Sequence, residues 1–108
     1  MTPEQAAKKI RAAALRGLDI AAEHVLEESN RIVPHEEGTL ERSGTVTVDR
    51  SHLTAAVSYD TPYAVRQHED QDLNHKGKGE AKYLEKALDR SRRVVPKIIA
   101  AEVKRAMR

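Results

Sequence analysis

The sequence predicts an α+β fold: a long N-terminal helix, a β-hairpin forming a small antiparallel sheet, a short helix, a charged loop, and a C-terminal helix kinked near Pro96. Three observations predict it. Apolar residues recur at three- and four-residue steps in the first 32 residues and again from Tyr83 onward, the signature of helices with one buried face. Small and β-branched residues concentrate in two short runs around Val46 and Val57, as in strands. Between the second run and the last helix lies a stretch of charge and glycine whose one large apolar residue is Leu73, too little to form a core. At 108 residues the chain matches one domain, 1–108, with a single small core.

Thr2-Pro3-Glu4-Gln5 reads as a helix start: Thr2 as N-cap, Pro3 at the first helical position and Gln5 placed to complete a capping box. Ile10, Ala14, Leu18, Ala21, Val25 and Ile32 then form the apolar stripe of a helix running to about Asn30. The stripe is rich in alanine, so another backbone can approach closely, and Pro34 prevents continuation. Residues 33–44 read as a loop anchored only by Leu40. Thr45–Val48 and Leu53–Tyr59 are the two strands of a hairpin, joined by Asp49-Arg50-Ser51-His52. Thr61 and Pro62 open a short helix through Gln67. After the loop 68–80, helical periodicity resumes over 81–95 and continues past Pro96, where the helix kinks or restarts.

Composition narrows function. With no Phe, no Trp and three Tyr, the core is left to Ala, Leu, Ile and Val, so burial against neighbouring subunits is expected. The absence of cysteine excludes disulfides and thiolate chemistry and fits a reducing compartment. The N-terminal residues lack the apolar run of a signal peptide, and no segment has the length for a membrane span, so a soluble protein without membrane contact is expected. Residues 90–108 hold seven Lys/Arg (Arg90, Arg92, Arg93, Lys97, Lys104, Arg105, Arg108) against Glu102; with a net charge of +2 overall, this end is +6 and the first 89 residues are −4. Such a split suits head-to-tail docking between copies, or contact with an anion such as DNA.

The loop offers His68, Glu69, Asp70, Asp72 and His75, residue types that suit zinc or manganese. Its histidines are seven residues apart among glycines rather than one helical turn apart, so no metal and no cofactor is expected. Lys76-Gly77-Lys78-Gly79 lacks both the spacing and the final hydroxyl of a P-loop, and no local signature assembles a serine–histidine–aspartate site, so the chain is not expected to be an enzyme. Arg90, Arg92, Arg93 and Lys97 could meet phosphates without reading bases, and the absence of interleaved aromatics removes stacking on single strands.

The order of motifs resembles the small neck or tail-completion proteins of long-tailed bacteriophages, labelled minor capsid or head-tail connector proteins. The resemblance is carried by Val33-Pro34-His35-Glu36-Glu37-Gly38-Thr39-Leu40-Glu41-Arg42-Ser43, by Tyr63-Ala64-Val65-Arg66-Gln67-His68-Glu69, and by Tyr83-Leu84-Glu85-Lys86-Ala87-Leu88. It spans residues 5–107, with two departures: Glu37 where the pattern has Asp or Thr, and a longer loop after His68. It implies a virion structural protein, made in the host cytoplasm, that forms a ring, hexameric by analogy, between the portal-side connector and the tail tube. A tail terminator or head-closure protein is the neighbouring alternative, and a sequence-blind DNA-binding protein is a different one. Under the leading reading, His68, Glu69, Asp70, Asp72, His75, Lys76 and Lys78 form an interaction loop, and Arg90, Arg92, Arg93 and Lys97 meet acids of a neighbouring subunit such as Glu27, Glu28, Glu36 and Glu37, or DNA in the lumen.

Overall fold

The computed structural model describes residues 1–33, 43–59 and 78–108, with the side chains of 78–82 left aside. In chain order the elements are α1 (Pro3–Ile32), β1 (Gly44–Asp49), β2 (Thr54–Tyr59), α2 (Lys78–Ser91) and α3 (Val94–Ala106). The short helix expected over 63–67 and most of the loop expected over 68–80 lie outside the described residues. The end of that loop is corrected, because Lys78, Gly79 and Glu80 already belong to α2.

α1 starts where local chemistry places it. Thr2 Oγ1 accepts from the Gln5 N–H at 3.1 Å, and Gln5 Oε1 accepts from the Thr2 N–H at 2.9 Å, satisfying two backbone donors that a helix start leaves open. Thirty residues of helix span about 45 Å at 1.5 Å per residue, which accounts for most of the 55 Å long axis of a molecule only 23 and 21 Å across.

Every other element packs on this rod, which is why its buried face is wider than a single stripe. Ala21 and Val25 are buried as expected, but so are Ala13, Leu15, Gly17, Ala22 and Ser29, whereas Ile10 is exposed. α3 crosses α1 at Gly17: a Cβ built there would lie 2.7 Å from the Ile99 Cα, so the two helix backbones touch where any side chain would separate them. Glu102 flanks the crossing, held by Arg105 at 2.9 Å and facing Arg16 of α1 at 3.8 Å.

The hairpin pairs Gly44 with Tyr59 through Asp49 with Thr54 in one antiparallel register. Val46, Val48, Ala55, Val57 and Tyr59 take the more buried face and Thr45, Thr47, Thr54 and Ser58 the exposed one, the alternation of a half-covered sheet. Tyr59 and Val33 form the hairpin's buried end together with Leu26, Tyr83 and Leu84. There the Tyr59 hydroxyl donates to Asn30 Oδ1 at 2.8 Å and sits 2.7 Å from Ser29 Oγ. Since the phenol has one proton to give, Ser29 is the donor in the second bond.

Helix continuity fails four residues before Pro96, at Arg92-Arg93, rather than at the proline itself. In an unbroken helix the Pro96 ring would press on the Arg92 carbonyl and leave it unbonded. Restarting at Val94 puts Pro96 in the first turn of α3, where a missing N–H costs nothing.

Candidate interaction surfaces

Among the residues singled out from sequence, His68, Glu69, Asp70, Asp72, His75 and Lys76 lie outside the described residues, as do Glu36 and Glu37; Lys78 is the first residue of α2. Arg90, Arg92, Arg93 and Lys97 are all exposed, but they do not form one patch. Arg90 closes α2, where a cation complements the helix dipole. Arg92 turns back to Asp89 at 3.4 Å. Arg93 and Lys97 are one helical turn apart, at the N-cap and in the first turns of α3. Of the acids named as their partners, Glu27 and Glu28 are both engaged by Arg31 of the same helix, at 3.0 and 2.7 Å. Glu27 is exposed, and an exposed pair of this kind holds only about 0.3–0.5 kcal/mol, so Glu27 stays available for exchange, whereas the Glu28 side chain is only 17% exposed.

α3 carries a longer basic stripe than the one expected. It packs on α1 through Ile99 and Glu102, and at 100° per residue Arg93, Lys97 and Lys104 fall together on the opposite side, with Arg108 just past the helix end. All four are exposed, and none makes an ion pair among the described residues. α1 carries the matching feature: Asp19, Glu23 and Glu27 recur every four residues on its solvent side, all exposed, with Ile20 beside them at 47% exposure. The three acids and Ile20 line a wide open groove of about 1140 Å³ that reaches Ile98 of α3. The spacing of both stripes, every four residues in the acidic one and four then seven in the basic one, is present in the sequence; which side of each helix is free to solvent is not.

A smaller apolar groove of about 250 Å³ opens where α1, β2, α2 and α3 meet, lined among others by Leu18, Val25, Val57, Leu84, Leu88 and Val95. Leu88, at 56% exposure, stands at its rim.

The hairpin tip brings together three residue types that no local signature announced. Asp49 Oδ1 accepts from the Ser51 N–H (3.1 Å), the Ser51 hydroxyl (2.8 Å) and the His52 N–H (3.3 Å), while the His52 Nδ1–H donates to Oδ2 at 2.8 Å. The Ser51 hydroxyl, followed by His52, holds the Asp49 carboxyl below its ordinary pKa. In a catalytic relay, serine and aspartate take opposite imidazole nitrogens. Here Ser51 and Asp49 both meet Nδ1, so the cluster is a capped turn. Its last residue, Leu53, has φ 51, the left-handed conformation that closes such turns.

No family model, curated protein or solved structure matches the chain. Among the described residues no group of three or more His, Asp or Glu is placed to hold a metal ion, and no helix is long and apolar enough to cross a membrane.

Proposed function

We propose that this chain is a virion structural protein that forms a ring at the head-tail junction, joining the capsid-side connector to the tail. The order of its motifs supports the reading at the level of sequence, with Val33–Ser43, Tyr63–Glu69 and Tyr83–Leu88 in the succession of neck and tail-completion proteins. The observation that carries it is the economy of the core. Among the described residues eight hydrophobic side chains are buried, four of them alanine, while Ile20, Leu88, Val94 and Met107 remain exposed. With so little buried among the described residues, surface buried against copies and partners adds stability. Adjacent neck, connector and tail proteins are the partners this role requires.

Electron microscopy of particles carrying this chain with a small tag tests the reading. Density for it in a symmetric ring at the neck, sixfold by analogy, is the expected result. Tagged particles with the chain missing, or with one copy in an asymmetric position, overturn it.

A further inference from the structure

Resting on the ring reading, we infer that neighbouring copies join head-to-tail, the basic face of α3 on one copy seating against the acidic face of α1 on the next. Among the described residues each face repeats one sign of charge, with Arg31 at the end of the acidic row holding Glu27. Asp19, Glu23 and Glu27 repeat like charge at the spacing that brings side chains together on a helix, and so does the pair Arg93/Lys97; such neighbours repel. Asp19 and Glu23 make no ion pair among the described residues, and neither does any of the four cations. The acids cannot be neutralised by the basic stripe of their own chain, because that stripe points away from α1.

The two faces also match in size and relief. The acids extend over about 12 Å of helix and the cations from Arg93 to Lys104 over about 17 Å, so all three acids find cations within one contact. Ala100 and Ala101 are exposed between Lys97 and Lys104, leaving a low centre on the basic face. Ile20 projects beside Asp19 and Glu23 on the acidic one. A small apolar centre inside a charged rim is the usual anatomy of a protein contact. Duplex DNA would use the basic face alone and be repelled by the acidic one. Because the two faces differ, the contact is heterologous, and successive copies close into a ring when the rotation between them allows.

A charge swap tests this, with circular dichroism confirming that each variant keeps its helices. In sedimentation velocity at low ionic strength the wild-type chain is expected to assemble as its concentration rises and to dissociate in high salt. Asp19→Lys/Glu23→Lys and Lys97→Glu/Lys104→Glu, each alone, are expected to raise the concentration needed for assembly by about tenfold or more. Mixing the two variants restores assembly, because each now complements the other. A wild-type chain that stays monomeric at millimolar concentration, variants that assemble like wild type, or a mixture that stays dissociated overturns the contact. So does salt-sensitive binding to a duplex oligonucleotide that Lys97→Glu/Lys104→Glu abolishes while self-assembly is untouched. Particle imaging judges the neck assignment separately: a ring at the neck with unaffected variants refutes these faces alone, and variants that dissociate with no ring at the neck refute the neck alone.

Discussion

The two ends of the hairpin are fastened to the same helix by comparable numbers of hydrogen bonds, in opposite surroundings. At the buried end, Tyr59 bonds Ser29 and Asn30, with Ser29 0% exposed. At the tip, Arg11 Nη2 reaches from α1 to the carbonyls of Arg50 and Ser51 at 2.7 and 3.1 Å, in full solvent. The geometry explains why both are possible. Arg11 to Ser29 is about 27 Å of helix, and beyond the turn at Arg50–Leu53 the extended chain from Thr54 to Tyr59 covers about 17 Å of it, so β2 lies along α1 between the two anchors. What differs is the cost of losing a partner. Water replaces Arg11 at the tip, whereas nothing replaces Tyr59 inside.

Tyr59→Ala is therefore expected to have the largest effect, about 3–5 kcal/mol lost in chemical denaturation, from the removed ring and the cavity it leaves. Tyr59→Phe separates the two contributions. It keeps the ring and orphans Ser29, for a loss of about 1–3 kcal/mol. A phenylalanine variant as stable as wild type would mean that the buried bonds serve only orientation.

Gly17→Ala acts on the other side of α1 and serves as a control on the hairpin. Alanine favours the helix by about 1 kcal/mol, but its Cβ meets the Ile99 backbone at 2.7 Å, and forced overpacking costs about 1–3 kcal/mol. The expected result is a net loss on denaturation, with the hairpin's amide-exchange pattern unchanged. A gain in stability would show that α3 can back away freely.

The smallest effects belong to the tip. Arg11→Ala is expected to lower stability by about 1 kcal/mol or less, with faster amide exchange near Ser51 and none near Tyr59. The same region should be pH-dependent in one direction. Because folding lowers the Asp49 pKa, its contribution is fully present above the unfolded value near 3.8 and is lost as pH falls through the lower folded value. Wild type should thus lose hairpin order in acid, and Asp49→Asn should flatten that loss. Equal acid sensitivity in both proteins would remove Asp49 as the cause.

Much of this fold was legible in the chain because it depends on residues a few positions apart. The capping box at Thr2 and Gln5, the alternation across Val46 and Val57, and the proline that breaks the last helix are all local events. A close helix approach was expected on the alanine-rich stripe; the closest backbone contact falls at Gly17, which that stripe did not include. The candidate surfaces were half legible: the basic end is evident in sequence as a run of neighbours along the chain, whereas the helix sorts its cations by turn and places Lys104 with Arg93 and Lys97. Tertiary structure alone decided that Ser29 is buried, that Tyr59 is its partner across 30 residues of sequence, and which sides of α1 and α3 stay free. Periodicity shows that a helix has faces; only the elements packed against it determine which of them water sees.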